Sequence, residues 1–216
     1  MKTKNVKSLQ LHEVNTYLRA NVNGAPLVLS GASHLHGLAA GLKHGEVIIK
    51  GDAGDYLGVL NDGATIRVTR NSGNYLADNM TGGTVIIEGD AGYGAAQYCY
   101  GGTVIIQGSA GDFTATMNKG AVILVNGDVG SEVGTYMLKG DLVVVGNAGD
   151  NFANFLIRGS VYLGGEYRSL GHNTRVVPKT EEDMLKLRTY FEKYGIQADP
   201  VHFKKIVAAS EKPFYH

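Results

Sequence analysis

The chain of 216 residues carries 20 basic and 20 acidic side chains, so its formal net charge is zero. This balance, with no basic stripe, gives no electrostatic support for nucleic-acid binding. The longest apolar runs are far shorter than the roughly 18 residues that a membrane-spanning helix needs, and the first residues lack the apolar core of a signal peptide. We therefore expect a cytoplasmic protein with neither nucleic acid nor membrane as a partner.

The N-terminal segment predicts a short amphipathic helix. Leu11, Val14 and Leu18 recur at helical spacing within residues 8–22, and Gly24-Ala25-Pro26 ends the pattern. We assign residues 1–26 to an N-terminal helical cap. The apolar residues 27–29 then predict a first strand, and an imperfect first coil follows it, as is usual for an end repeat.

A four-residue motif with a period of 19 residues organises the middle of the chain. It begins as Gly51-Asp52-Ala53-Gly54 and returns, with substitutions, at positions 70, 89, 108, 127 and 146. We call these six copies the tetrads. A strict period of this kind indicates a solenoid, in which each coil buries its apolar face against its neighbours.

The residues before each tetrad predict a strand. The positions four and two residues ahead of it are always Val, Ile or Leu, and this period of two places both columns on one face, which we expect to point into the core. Too few residues separate the turns for a helix. We predict an all-β solenoid over residues 27–177, a single-stranded right-handed parallel β-helix of about seven 19-residue coils, with short flanking α-helices at both termini.

Each tetrad predicts a turn. Its second position is Asp, Asn or Ser, which favours hydrogen bonds to the local backbone. Its last position is always glycine, for which we expect a positive φ. These structural turn residues are Gly54, Gly73, Gly92, Gly111, Gly130 and Gly149.

Two further columns follow the tetrads. The first holds only small residues, which suggests that the backbone of another segment passes close by. It consists of Gly58, Ala77, Ala96, Ala115, Gly134 and Ala153. The second, three residues before another recurring glycine, predicts a second buried ladder. It consists of Leu60, Met80, Cys99, Met117, Met137 and Leu156.

The repeat fails after Gly164-Gly165, where Arg168 takes the place of a tetrad glycine. Thr180, followed by three acidic residues, predicts a helix N-cap, and Gly195 predicts the end of that helix. Asp199-Pro200 predicts a second short helix through Val207. We assign residues 178–216 to a C-terminal helical tail that caps the last coil or lies along its side.

The outward face of the predicted strands carries an apolar stripe, where water would favour polar residues. We name it the outward stripe, and its members, three residues before the tetrads, are Ile48, Arg67, Ile86, Ile105, Leu124 and Val143. Such a stripe is rarely left exposed on a soluble monomer, so we expect the tail helices, a partner or a second copy of the chain to cover it. The candidate interface residues are Ile48, Ile86, Ile105, Leu124 and Val143, with His36 and Arg168 where the repeat breaks.

We predict no catalytic, cofactor-binding or metal site in this chain. The turn carboxylates lack the Gly-Gly-x-Gly-x-Asp frame of calcium-binding repeats. His34, His36 and His44 lack the companion ligands of a zinc site, and the strands lack the carboxylate cluster of a carbohydrate-cleaving β-helix. The one cysteine, Cys99, excludes an internal disulfide and lies in a predicted inward ladder, which indicates a buried thiol.

The repeats resemble a known domain. Gly-Gly-Thr-Val-Ile-Ile-Glu-Gly-Asp-Ala-Gly at 82–92 and its near copy at 101–111 resemble the GXGXG domain of glutamate synthase, the C-terminal β-helix of the large subunit. A standalone subunit of glutamate-synthase-like complexes is similar over nearly the whole chain, including residues 36–42, Ser169-Leu170-Gly171 and Asp199-Pro200. The scaffold of formylmethanofuran dehydrogenase has the same repeats.

The resemblance to glutamate synthase implies a structural role in glutamate biosynthesis and nitrogen metabolism. In that family an amidotransferase cysteine and an FMN and iron–sulfur centre, all outside this domain, carry out the chemistry. The resemblance implies a scaffold whose partners are a glutamine amidotransferase and an FMN/iron–sulfur subunit, with both cofactors held by partners. The alternatives are a scaffold of formylmethanofuran dehydrogenase and a stand-alone β-helix enzyme acting on carbohydrate.

Overall fold

The strands of the chain form a single sheet of eleven strands in a computed structural model that describes residues 2–210 and 212. The N-terminal half contains β1 (Lys2–Asn5), α1 (Leu11–Asn21), β2 (Leu27–Ser30), β3 (Glu46–Lys50), β4 (Asp62–Val68), β5 (Gly82–Ile87) and β6 (Thr103–Ile106). The C-terminal half contains β7 (Lys119–Val125), β8 (Lys139–Val144), β9 (Ser160–Leu163), β10 (Thr174–Val177), α2 (Glu181–Tyr194), a 3₁₀ turn (Pro200–His202) and β11 (Lys204–Ala208).

Strands β2 to β9 stack in parallel and in chain order, one strand per coil. The register advances by one repeat at each step, so that Ile66 faces Val85, Val85 faces Val104, and Val104 faces Ile123. Both predicted inward columns are fully buried from Val47 to Leu142 and from Ile49 to Val144. The predicted all-β solenoid of about seven turns, with a helix near each terminus, is confirmed.

The N-terminal helix is confirmed as α1, which buries Val14 and Leu18 over the first coil. The sequence did not predict the strand that precedes it. β1 pairs in parallel with β2, although its four residues show no apolar alternation. The pairing uses backbone groups alone, and the exposed Lys2 at this edge disfavours pairing with another chain.

The first tail helix is confirmed as α2, which begins at a capping box of Thr180 and Asp183 and ends at Gly195 with a φ of 69°. The predicted second helix is wrong. Only Pro200–His202 turns, and β11 lies antiparallel between β9 and β10. Pairing with β11 provides hydrogen-bond partners for the backbone groups at the edge of β9. Local helix propensity takes no account of this stabilisation. Residues 211 and 213–216 of the predicted tail lie outside the described residues.

The last glycine of each tetrad does not have a positive φ, so that expectation is wrong. Its requirement is steric. A Cβ at Gly54 would lie 2.6 Å from the Leu35 carbonyl oxygen, and a Cβ at Gly111 would lie 2.8 Å from the Tyr93 nitrogen. These atoms belong to the coil beneath, so glycine is needed because successive backbones approach closely at this corner.

Positive φ occurs instead in the small column, from Gly58 at 65° to Ala153 at 59°. These positions alternate with other left-handed residues, such as Tyr75 and Asn79 on either side of Ala77. A Cβ at Gly58 would lie 3.0 Å from Ile66 Cδ1, and a Cβ at Gly134 would lie 3.1 Å from Leu142 Cδ2, so the nearest neighbours at these two positions are core side chains. The expected passing backbone is farther away, with Ala153 Cα at 3.7 Å from a Cβ at Gly134. Left-handed non-glycine residues cost roughly 1–2 kcal/mol each, which the hydrogen bonds between coils offset.

The second buried ladder differs from the predicted one at two positions. The residues that stack are Asn61, Met80, Cys99, Asn118, Met137 and Leu156, all fully buried. Leu60 is 55% exposed and Met117 is half-buried, so neither belongs to it. Asn61 donates to the Ala64 carbonyl and accepts from its amide, and strand register shifts beside both asparagines. The predicted ladder was placed three residues before the next recurring glycine. At the two bulges that glycine is one residue closer, so the prediction selected Leu60 and Met117 in place of the asparagines.

Candidate partner-binding surface

The C-terminal half of the outward stripe is covered by the chain itself. Ile105, Leu124 and Val143 are at most 1% exposed, and Tyr162 continues their row. They form an apolar cluster, separate from the interior of the solenoid, with residues of α2 and the segment after it. The covering residues are Leu187, Phe191, Ile196 and Phe203.

A buried polar group holds the start of α2 against the sheet. The Tyr162 hydroxyl donates to Asp183 at 2.6 Å, and Lys205 Nζ lies 2.7 Å from the same carboxylate. Burial alone would raise the pKa of Asp183, but hydrogen bonds from Lys205, Thr180 and Tyr162 together lower it well below its ordinary value. Asp183 is therefore a carboxylate at neutral pH, and the pair acts as an ionic anchor.

A second anchor joins a later part of α2 to the side chain of Asp141 in β8. The Tyr190 hydroxyl donates to this carboxylate at 2.7 Å, and Lys186 Nζ approaches it at 3.2 Å. Burial and the hydrogen bond to Asp141 raise the pKa of Tyr190 above its ordinary value, which keeps the phenol protonated as a donor. Helix α2 is thus fixed by an apolar cluster flanked by two polar contacts.

The N-terminal half of the stripe is open. Ile48 and Ile86 are half-buried, and Arg67 between them forms an ion pair with Glu88 at 2.7 Å. Where α2 ends, a cavity of about 670 Å³ lies over Ile86 and Ile105. The Gln107 amide closes its far side by donating to the Tyr194 carbonyl at 3.0 Å. We call this surface the open groove; it has an apolar floor, a charged rim and direct continuity with the face on which α2 packs.

His36 and Arg168 lie apart, in the first and last coils. A ring nitrogen of His36 accepts from the Asp55 amide at 3.0 Å, and Arg168 forms an ion pair with Asp150 at 3.0 Å. Both side chains are largely exposed. The structure therefore does not bring them together with each other, and their role as interface residues remains a prediction.

The turn carboxylates bond to the next coil. Asp52 accepts from the Asn71 amide, Asn71 from the Asp90 amide and Asp90 from the Ser109 amide, at 2.7–3.1 Å. The expected bonds to the local backbone are thus replaced by a ladder that runs along the solenoid. Among residues 2–210 and 212, no three His, Cys, Asp or Glu side chains group as metal ligands.

Cys99 is confirmed as a buried thiol. Its side chain is fully buried, and Sγ lies 3.2 Å from the Ala77 carbonyl oxygen as a hydrogen-bond donor. Burial raises the pKa of Cys99 to about 12, so the thiolate that a nucleophile requires is absent at neutral pH.

Two rows of aromatic side chains, which the repeat pattern did not predict, lie on the face of the turns. Tyr56, Tyr75, Tyr93 and Phe113 follow one another with ring centroids 4.8–5.5 Å apart. In the second row, Phe155 stacks on Tyr136 at 5.3 Å. The 19-residue repeat does not reveal the first row, because its repeat position holds Gly94 in one coil. In that coil the ring comes from Tyr93, which belongs to the neighbouring column.

Comparison with protein families supports the resemblance drawn from the repeats. Residues 15–119 match the profile of the GXGXG motif family, from α1 to the first residue of β7. Both repeats that carried the resemblance, 82–92 and 101–111, lie inside this match. No curated protein sequence gives a significant match. In the described part of the chain, no helix is long and apolar enough to cross a membrane.

Proposed function

We propose that this GXGXG-domain chain is a non-catalytic scaffold subunit of a glutamate-synthase-like complex. It would organise a glutamine amidotransferase subunit and an FMN/iron–sulfur subunit and shape the ammonia passage between them. The observation that supports a scaffold role is the open groove, because it continues a surface that is built to be covered.

The covered half of the stripe shows what the open half can accept. Three aliphatic side chains in the same column as Ile86 pack against Leu187 and Phe191 of a helix. Ile48 and Ile86 extend that column and are half-buried, so covering either of them adds only part of the about 1.5–3 kcal/mol that full burial of an exposed aliphatic side chain provides. An amphipathic element of a partner would gain this energy while replacing the Arg67–Glu88 ion pair at the rim.

The chemistry would belong to the partners. The single cysteine is a buried thiol with a raised pKa, which is unsuited to attack on glutamine. In this proposal the amidotransferase subunit supplies the nucleophile, and the flavin subunit holds FMN and the iron–sulfur cluster. The solenoid contributes a rigid distance between them, which its ladder of hydrogen bonds from coil to coil provides.

Co-purification from the native host tests this proposal. The tagged chain is compared with Ile86→Asp, which places a charge in the open groove, and with Leu185→Asp at a 64% exposed position on α2 as the matched control. We expect amidotransferase and flavin-containing subunits with the wild-type chain and the control, and their loss with Ile86→Asp.

Two outcomes would contradict the proposal. Partners that carry molybdenum or tungsten would identify the chain as the formylmethanofuran dehydrogenase type of scaffold instead. Turnover of glutamine or 2-oxoglutarate by the purified chain alone would show a catalytic site of its own. Folding of each variant is checked by circular dichroism before co-purification.

A further inference from the structure

We propose that a groove between the two aromatic rows binds the guanidinium group of an arginine side chain on another protein. This aromatic groove has a volume of about 410 Å³ and crosses four successive coils. Its main lining residues are Tyr75, Tyr93, Phe113, Gln97, Thr116 and Thr135. It lies on the turn face, so this inference goes beyond the proposed function, which rests on the open groove of the sheet face.

The walls of the aromatic groove are suited to a cation. The ring centroids of Tyr93 and Phe113 are 5.3 Å apart, and Tyr93 is 40% exposed. The faces of such rings attract cations through their quadrupoles. The chain already shows this contact at the border of the groove, where Lys119 Nζ lies 5.8 Å from the ring centroid of Tyr98 and 4.1 Å from that of Tyr100.

The floor of the aromatic groove offers acceptors. Gln97, Thr116 and Thr135 are each more than nine-tenths buried. The Thr116 hydroxyl donates to the Phe113 carbonyl at 2.8 Å, and the Thr135 hydroxyl donates to Glu132 at 3.0 Å. Both hydroxyl protons are therefore used, while the oxygens can still accept. Gln97 donates to the Phe113 carbonyl, and within the described residues its own side-chain carbonyl receives no hydrogen bond.

Three acidic side chains lie in the coils next to this floor. Glu132 bonds to the floor through Thr135, Asp112 directly precedes Phe113, and Asp78 lies one coil below Gln97. None of these three carboxylates forms an ion pair in the described part of the chain. One oxygen of Asp78 is buried without any hydrogen bond. A cationic side chain of a partner would complement these carboxylates.

Arginine fits this combination better than lysine. A guanidinium is planar, carries five N–H donors and stacks on aromatic faces, whereas an ammonium is compact and more strongly hydrated. It can lie between the aromatic rows and donate at its edge to Gln97 and Thr116. Because the groove runs along the solenoid across several coils, an extended segment of a partner can present the side chain.

The experiment is an NMR titration of the isolated chain with Nα-acetyl-L-arginine amide. The matched neutral probe is Nα-acetyl-L-citrulline amide, and the lysine analogue is the third arm. We expect the amide signals of Gln97 and Thr116 to shift with the arginine probe at lower concentration than with either other probe. Phe113→Leu and Glu132→Gln should each weaken binding about tenfold. Leu185→Ala, at an exposed position on α2, should leave binding unchanged.

Three results would overturn the inference. They are an equal response to citrulline, equal or tighter binding of the lysine probe, and undiminished binding by both groove variants once their thermal unfolding matches the wild-type chain. Because the titration uses the chain alone and a small probe, its failure leaves the co-purification test of the open groove unaffected.

Discussion

The outward stripe has two halves that share one repeat position and differ in what covers them. Ile105, Leu124 and Val143 are buried beneath α2, whereas Ile48 and Ile86 remain half-exposed. An aliphatic residue at this repeat position therefore does not by itself indicate that the side chain is buried. What decides coverage is how far the tail reaches along the sheet.

The polar residues around the two halves also differ. The covered half is flanked by two nearly buried carboxylates that join the tail to the sheet: Asp141 of β8 binds Lys186 of α2, and Asp183 of α2 binds Tyr162 of β9. The open half has the Arg67–Glu88 pair, in which both side chains are about 41–42% exposed. Buried polar contacts specify one position of the helix, while an exposed pair can be displaced by a partner at little cost.

The largest effect should come from Asp183→Asn. The substitution leaves the mostly buried Lys205 side chain without its counter-charge, and breaking a buried pair costs about 3–5 kcal/mol. Urea unfolding at pH 7 would measure the loss. Asp150→Asn, which removes the exposed pair with Arg168, is the control and should cost less than about 1 kcal/mol. Equal losses would mean that the buried anchor adds no stability beyond a surface pair.

The same carboxylate predicts an acid dependence. Because folding lowers the pKa of Asp183, its contribution is fully present above its unfolded pKa of about 4 and is lost as pH falls through the folded value. The urea midpoint of the wild-type chain should fall on acidification below about pH 4 more steeply than that of Asp183→Asn. Parallel curves for the two proteins would contradict the assignment.

Leu124→Ala should be the next most disruptive change. Truncating a fully buried leucine costs about 2–5 kcal/mol, and here it also removes a contact surface of α2. Ile86→Ala, in the same column of the open half, should cost about 1 kcal/mol or less, because the side chain already contacts water. Thermal and urea unfolding of both variants provide the comparison, and similar losses would show that the open half is covered in solution.

Gly130→Ala should affect both halves alike, because it alters the coils beneath them. A Cβ there would lie 2.7 Å from the Asp112 nitrogen, and such overpacking costs about 1–3 kcal/mol. Gly82→Ala is the matched control, since its Cβ would find the nearest atom at 3.6 Å and its φ is not positive. If Gly82→Ala is as destabilising as Gly130→Ala, the close approach of successive backbones does not explain why the last tetrad position is always glycine. The loss of backbone freedom would then be the explanation.

The smallest effect should come from Arg67→Ala. Exposed ion pairs contribute about 0–1 kcal/mol, so unfolding of the isolated chain should hardly change. If the open groove binds a partner, the same variant should still alter co-purification. A clear loss of stability without any change in partner recovery would instead assign Arg67 a purely intramolecular role.

Particular residues show why part of the fold was predictable. The columns from Val47 to Leu142 follow from a period of two within a period of 19, and Thr180 and Gly195 are local helix signals. The asparagines in the buried ladder were missed because a bulge moves the marker glycine by one position. The strand β11 was missed because its pairing partners in β9 lie about 40 residues earlier in the chain, beyond any local pattern.

The sequence by itself determined the structure of one coil, because the coil length, the inward-facing residues and the turn residues recur in each repeat. The same pattern seen in several repeats supports the assignment of each one. Only the tertiary structure decided which half of the outward stripe is covered, where the two anchors of α2 lie and how Tyr93 and Phe113 come to wall a groove. These features depend on contacts between segments that do not repeat, and the shape of the whole solenoid sets those contacts.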